Sequence, residues 1–419
     1  MIKLFFFTIL LSVALFAKSS QPSNIPLPEV SVLNLDPYPC DAKCLQNYLK
    51  KGLIFSYLAH QTADIQAQML QTEKISSTAL ATNEPKRQKT EQLKDATQQE
   101  QNIQKKAYSS TKIRIALLLP HKAIGRYTVS TTNASFAYLM SRGSPFELKT
   151  YKIENQNYEE IQKALRNIEA DGFKYVIAPL TQVGEKIITQ INPELFIYFP
   201  TINKKDTQTS SSYLYYGAID YRAQIDTLLQ EAHSPLVIFC DESEVGRQLC
   251  TYEESAYAQT KGSGVTKYVV TQQMTNLEKQ IKDNPKLRGG SVFLNTPVVK
   301  SGMIMSQLTL YDTSVANILS AQANYNPLLL SMTQYRDRKD MIIANSITHN
   351  DELLIETNSV MENDIAYDWI NYTTTVGIDY FAYAISGEQR MYNIALKDNQ
   401  MVYPIVLLKP ETSRFVPYR

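Results

Sequence analysis

Four cysteines fall into two local pairs, Cys40/Cys44 and Cys240/Cys250, while His60, His121, His233 and His349 are scattered. A metal site needs several thiolates or imidazoles close together. A redox dithiol uses C-x-x-C, and the spacing here is C-x-x-x-C. Disulfides are therefore the favoured chemistry, ahead of free thiols and of metal or redox roles. Asp241/Glu242, and Asp351/Glu352 just after His349, are compatible with acid–base work, but surface carboxylates are far commoner than catalytic ones. The chain has no H-E-x-x-H, no G-x-S-x-G and no P-loop. A non-enzyme is expected, without cofactor or metal.

Polar residues that follow apolar runs are a stronger lead, because ligands in open α/β sheets sit at the carboxyl ends of the strands. His121, Arg126 and Tyr127 follow Ile113–Pro120 (IRIALLLP). Thr181 and Gln182 follow Lys174–Pro179 (KYVIAP), and Thr201 and Asn203 follow Leu195–Pro200 (LFIYFP). Asp220 and Tyr221 stand where a second half begins, and Asp241 and Glu242 follow Pro235–Cys240 (PLVIFC). Thr181 opens a helix, where a hydroxyl and free N–H groups can hold a carboxylate or simply cap the helix. Tyr221 either lines such a site or only packs. With 27 tyrosines, no single one marks a stacking platform, and the lone tryptophan, Trp369, is expected to pack among Ile365 and Ile370.

The elements that must position these residues are legible between 112 and 204. Ile113–Pro120, Phe146–Glu154, Lys174–Pro179 and Leu195–Pro200 read as strands. Tyr158–Ala170 carries Ile161, Ala164, Leu165 and Ile168 at helical spacing, with Gly172 as a stop. Val183–Ile191 reads as a further helix. Strands apolar on both faces and alternating with helices imply a parallel sheet covered on both sides. The pattern resumes after Tyr213–Ala218. Helices are expected at Tyr221–Ala232, Glu244–Gly262, Asn276–Leu287 and Ser301–Leu310. Strands are expected at Pro235–Cys240, Val265–Val270, Ser291–Asn295 and Asp340–Ala344. Asn326–Ser331 should introduce another strand, Asp364–Ala384 forms a long segment, and Tyr392–Leu408 reads as a closing hairpin around Lys397-Asp398-Asn399-Gln400.

Residues 1–17 read as a secretory signal peptide: Lys3, then an apolar stretch Leu4–Phe16 too short to span a membrane, then Ala17. An uncleaved anchor is the alternative. A Pro-containing linker (18–36), a helical segment with Cys40 and Cys44 (37–72) and a Gln/Lys/Thr/Glu-rich linker (73–110) precede the α/β region (111–419). The 73–110 segment lacks the apolar content for a core of its own; it reads as a mobile, partly helical tether, with a partner-binding strut as the alternative. Lys+Arg is 42 and Asp+Glu 41, which gives no electrostatic case for nucleic acid or a membrane surface. Glycine is scarce at 14 residues, about half its usual share, which disfavours phosphate-cradling loops. The expected compartment is the periplasm, with no transmembrane segment in the mature chain.

Several strings together resemble a known family. IALLLP (Ile115–Pro120), YVIAPLT (Tyr175–Thr181), IYFPTIN (Ile197–Asn203) and VIFCDESEVGRQL (Val237–Leu249) stand in the order found in the type 1 periplasmic-binding-protein fold. The ending VGIDYFAYAI…MYNIALKDNQMVYPIVLLK resembles the branch that contains LpoA, the periplasmic activator of penicillin-binding proteins. The resemblance covers residues 112–419 and implies an α/β chain of two lobes with parallel sheets. It departs at the turn after the first strand, where His121-Lys122-Ala123-Ile124-Gly125-Arg126-Tyr127 replaces a turn rich in Gly and Ser, and at Ala178, where Gly is usual. The N-terminal extension is too short for the helical repeat domain of LpoA. The implied function is a non-catalytic accessory or scaffold whose partners are envelope proteins, in cell-wall (peptidoglycan) synthesis or a flagellar-motor accessory structure. The alternative is a solute receptor for an amino acid or small peptide.

Overall fold

A computed structural model describes residues 41–50, 111–209, 211–262 and 264–419. The signal peptide (1–17), the Pro-containing linker, Cys40, the helical segment beyond residue 50 and the polar linker (73–110) lie outside the described residues. Two units are distinguished, Met1–Asn83 and Glu84–Arg419. In the first, α1 (Ala42–Lys50) begins at Asp41, whose Oδ1 accepts from the Cys44 N–H at 2.8 Å. Leu45 is buried and Cys44 is disulfide-bonded.

The second unit starts with β1 (Ile113–Pro120), α2 (His121–Ile124), α3 (Tyr127–Arg142), β2 (Phe146–Ile153), α4 (Tyr158–Ala170), β3 (Tyr175–Ile177), α5 (Gln182–Ile191), β4 (Phe196–Phe199) and β5 (Leu214–Tyr216). The chain then passes to a second lobe through α6 (Tyr221–Gln230), β6 (Leu236–Asp241), α7 (Glu244–Lys261), β7 (Val265–Val270), α8 (Glu278–Ile281), β8 (Ser291–Asn295), α9 (Val298–Leu310), β9 (Asn317–Ser320), α10 (Pro327–Met332), α11 (Tyr335–Arg338) and β10 (Met341–Asn345). It returns to the first lobe with α12 (Glu352–Val360), α13 (Trp369–Ser386), β11 (Ala395–Lys397) and β12 (Gln400–Val402). It ends in the second lobe with β13 (Val406–Pro410) and β14 (Phe415–Pro417). Lobe 1 has strand order β11-β12-β5-β4-β3-β1-β2, and lobe 2 has β14-β13-β10-β9-β8-β6-β7. Strands β1 to β5 pair in parallel, as do β6 to β10, and the antiparallel additions are β11, β13 and β14.

The apolar runs dictate this arrangement. All of β1 is buried except Arg114, because helices cover both faces: Ile115 and Leu117 face α3 and α13, whereas Ala116 and Leu118 face α4 and α5. At the turn Asp398-Asn399 both residues take positive φ, 47° and 60°, the left-handed backbone that Asp and Asn tolerate and a two-residue hairpin requires.

Several expectations are corrected. Asn276–Leu287 is not one helix; only Glu278–Ile281 is helical, and Pro285 follows within four residues. Asn326–Ser331 is itself helical, with Asn326 as cap and Pro327 in the first turn, and the strand of that region is the earlier β9, whose polar ends hid it. The turn at Lys397–Gln400 holds, but the chain beyond it does not stay in one hairpin: β12 pairs with β5 in lobe 1, and β13 pairs with β10 in lobe 2. Helices α3 and α12 were not anticipated. The α3 pattern is blurred by Ser and Thr, which bond to the preceding turn of the helix: Ser135 Oγ donates to Thr131 O at 2.7 Å.

Candidate functional site

Helix α13 packs on one face of the lobe 1 sheet, against β1, β3 and α3. Asp379, fully buried, accepts from Tyr138 Oη (2.8 Å), Arg390 Nε (2.9 Å) and the Met391 N–H (2.7 Å). These partners compensate the cost of burying a charge. Burial and this neighbouring carboxylate push the Tyr138 phenol well above its usual range. Tyr198 lies between the sheet and α13, with its Oη donating to Thr373 O at 2.9 Å. A Cβ on Gly217 would lie 1.9 Å from Tyr198 Oη, and one on Gly377 would lie 2.2 Å from Tyr198 Cε1. Only glycine allows either approach.

The residues expected at strand ends are all placed next to the ends of strands, but, Gln182 apart, the chain's own atoms use them. His121 is exposed and its Nδ1 pairs with Ile153 O at 2.9 Å. Lys122 is ion-paired to Glu154 at 2.5 Å. Arg126 donates to Tyr127 Oη at 3.2 Å and lies over its ring at 5.1 Å. Thr181 caps α5, but its side chain does not cap the first turn. Its N–H and Oγ1 instead donate to Gln156 Oε1 at 2.8 and 3.2 Å, so a neutral side-chain oxygen takes the place considered for a ligand carboxylate. Gln182 is exposed. Thr201 Oγ1 donates to Leu180 O at 2.6 Å. Asn203 is buried, accepting from the Lys205 N–H at 3.1 Å and donating to Ala218 O at 3.2 Å.

Asp220 caps α6, accepting from the Ala223 N–H at 3.0 Å, and pairs with Lys205 at 2.5 Å. Asp241 accepts from the Ser243 N–H at 3.1 Å and Glu242 from the Gln272 N–H at 3.0 Å. Tyr221 meets Trp369 edge-on, ring centroids 6.1 Å apart. Trp369 was expected among Ile365 and Ile370; its ring partner from across the chain was not.

Arg126, Tyr127 and Tyr221 do converge, around Asp368. Burial raises the Asp368 carboxyl above its ordinary range, against the two helix N–H groups that it caps and the nearby Arg126. Burial also raises the Tyr221 phenol, helped by Tyr127 and Asp368. His121, Asp241 and Glu242 make their contacts elsewhere, with Ile153 O, the Ser243 N–H and the Gln272 N–H. Sequence reasoning missed Gln156, Tyr325, Tyr367 and Asp368. Tyr325 and Tyr367 meet at a tilt of 40° with centroids 5.0 Å apart, and Phe415 closes the group at 4.8 Å from Tyr325. Gln156, Tyr325 and Tyr367 carry no local signal, because each gains its meaning from a partner far away in sequence; Asp368 is the exception, a helix cap whose N–H partners are two and three residues on.

In lobe 2 the strand ends carry amides and hydroxyls. Gln224 donates to Ser346 Oγ (2.7 Å) and Gln322 Oε1 (3.2 Å), and Gln322 donates to Asn345 Oδ1 (2.9 Å). Asn324 donates to Ser320 Oγ at 2.7 Å. The expected bridge Cys240–Cys250 is present, with a Cα separation of 6.1 Å. It ties the end of β6 to α7 beside Asn295, whose Nδ2 donates to Glu253 Oε1 at 2.5 Å. Among the described residues no group of three or more His, Cys, Asp or Glu could hold a metal ion, and no helix is long and apolar enough to cross a membrane.

No family model and no curated protein matches the sequence. Solved structures do match in fold. The leucine-binding protein LivK from Thermotoga maritima is similar over 73% of this chain and 98% of its own, at 13% identity and TM-score 0.51. A branched-chain amino-acid transporter protein from Rhodospirillum rubrum is similar over 73% and 99%, at 11% identity and TM-score 0.54. Full-length LpoA from Haemophilus influenzae is similar over 74% of this chain and 59% of its own, at 11% identity and TM-score 0.50. The two seven-stranded sheets, the three crossings between lobes and these likenesses together give the chain the two-lobed type 1 periplasmic-binding-protein-like fold, shared by amino-acid binders and LpoA.

Proposed function

We propose that this chain is a non-catalytic, exported accessory protein that works through protein contacts in a cell-envelope machine. By likeness to LpoA, cell-wall synthesis is the leading assembly; a flagellar-motor accessory structure is the second. The region from about residue 111 onward is the folded working body, delivered by the signal peptide to the periplasm. One observation carries the reading: most strand-end groups that a solute would need are spent on the chain's own atoms, with Gln156 on the α5 N-terminus and an aromatic group between the lobes. A pocket for a small molecule needs convergent polar groups free to bind it.

The competing reading is a receptor for an amino acid or small peptide, favoured by the near-complete overlap with LivK. A thermal-shift screen of the mature protein with amino acids, short peptides and muropeptides separates the two. A ligand at 100 times its Kd stabilises by about 2.7 kcal/mol. The accessory reading expects no shift, together with capture of specific envelope proteins by crosslinking. A clear shift abolished by Thr181→Ala makes the chain a receptor.

A further inference from the structure

Two side chains cross from lobe 2 into the apolar cluster of lobe 1. Tyr221 opens α6, whose Ile225, Leu228 and Leu229 pack in the lobe 2 core, yet its own ring packs against the lobe 1 cluster. Tyr325, just after β9, touches both the lobe 1 cluster and a lobe 2 cluster. Their partners lie on the segment that enters α13 of lobe 1. Tyr221 meets Trp369 at 6.1 Å between centroids, nearly perpendicular, and Tyr325 meets Tyr367 at 5.0 Å. Phe415 of β14 supports Tyr325 and Tyr367 from lobe 2, at 4.8 and 6.2 Å. All of these rings are half-buried, and together they form a contact between the two lobes from the chain's own side chains. An edge-on pair such as Tyr221–Trp369 attracts beyond its buried area, and the tilted rings add apolar contact.

We propose that the Tyr221–Trp369 and Tyr325–Tyr367 contacts hold the two lobes shut with no ligand bound, making closure a fixed property of the folded chain. The crossover adds Lys205–Asp220 (2.5 Å) and Arg222–Asp206 (3.2 Å), but Lys205 and Arg222 are largely exposed, and such pairs contribute little. The inference deepens the accessory reading, since a permanently shut body presents one constant outer surface. It is tested by lobe geometry and not by partner capture, so either can fail alone.

Trp369 is the only tryptophan, so emission and quenching report this contact without interference. The experiment uses the mature full chain in ligand-free buffer: small-angle scattering, Trp emission and acrylamide quenching for wild type, Tyr325→Phe, Tyr325→Leu and Tyr325→Ala/Tyr367→Ala. Wild type should give the scattering profile of shut lobes. Tyr325→Phe keeps the ring and should match it. The double variant should show a larger radius of gyration, red-shifted emission and about a twofold rise in the quenching constant as the ring contacts are lost. Should the double variant fail to fold by circular dichroism, Tyr325→Leu, which keeps apolar bulk without the ring, should still show the same changes in smaller degree. Open lobes in the wild type would overturn the proposal, as would a folded Tyr325→Leu or double variant with unchanged scattering and quenching.

Discussion

In lobe 1 the strand ends beneath α13 are closed by rings. Tyr198 fills the gap between Gly217 and Gly377, Tyr403 Oη donates to Gly217 O at 2.8 Å, and Asp379 gathers its donors behind them. In lobe 2 the ends of β8, β9 and β10 carry buried polar side chains: Asn345 and Ser346 form a hydrogen-bonded network with Gln224 and Gln322, Ser320 pairs with Asn324, and Asn295 pairs with Glu253 beside the Cys240–Cys250 bridge. The two sheets have equal strand number and matching strand order, but one is braced by shape and the other by polar pairing and a covalent bond. Shape complementarity fails when volume is added. A polar network fails when one member is removed, because its partners are then buried without a bond.

The comparison is attacked most strongly at Gly377. Gly377→Ala would place a methyl within 2.2 Å of a fully buried tyrosine ring, and about 4 kcal/mol of stability should be lost. Chemical denaturation measures it; a loss under 1 kcal/mol, within the scatter of ordinary substitutions, would mean that lobe 1 is not shape-limited.

Next in size is the bridge. The Cys240→Ser/Cys250→Ser variant releases a loop of ten residues' separation, worth about 2.8 kcal/mol in chain entropy. Hydrogen exchange should rise in β6 and α7 first and leave lobe 1 unchanged; equal loosening of both lobes would blur the distinction drawn here.

Gln322→Ala should cost about 2 kcal/mol, because Gln224, Asn345 and the Ser346 N–H all lose a partner. An unchanged denaturation midpoint would show that water replaces the amide and that the network is not a brace.

The smallest effect is tied to pH. Glu253 is fully buried, its Oε2 has no hydrogen-bond partner, and burial raises its carboxyl well above the ordinary value of 4.5, against the Asn295 hydrogen bond. The folded state then holds a proton that the unfolded chain releases, so this group's contribution is fully present below pH 4.5 and is lost as pH rises toward the folded-state value. Glu253→Gln keeps the acceptor for Asn295 and removes the titration. Thermal melts across pH should find the variant gaining on wild type as pH rises. Parallel curves would show that the carboxylate finds its own compensation.

How far the sequence carried this reading depends on the range of the interaction. Tyr158–Ala170 was legible residue for residue, because one apolar face at helical spacing, the Asn157 cap and Gly172 are all local. Strands β1, β6 and β8 were legible because burial on both faces leaves an uninterrupted apolar run. Strand β9 was not, since Asn317 and Ser320 are polar and their partners across the sheet, Ser291 Oγ and Leu294 O, lie 26 positions earlier. The candidate site was legible only as a set of addresses. That Thr181, Asp220 and Tyr221 stand beside strand ends follows from chain order. That Gln156 already sits on Thr181, and that Tyr221 meets Trp369, does not.

Composition and periodicity by themselves determined an α/β chain of alternating strands and helices, and a short pairing of Cys240 with Cys250. Tertiary structure alone decided which sheet each late strand joins: β12 with β5 and β13 with β10, although only three residues separate β12 from β13. Sheet membership is fixed by hydrogen bonds to strands 60 to 190 positions earlier in the chain, and no local propensity encodes a partner at that distance. For the same reason the rings that meet across the cleft could be counted from the sequence but not paired.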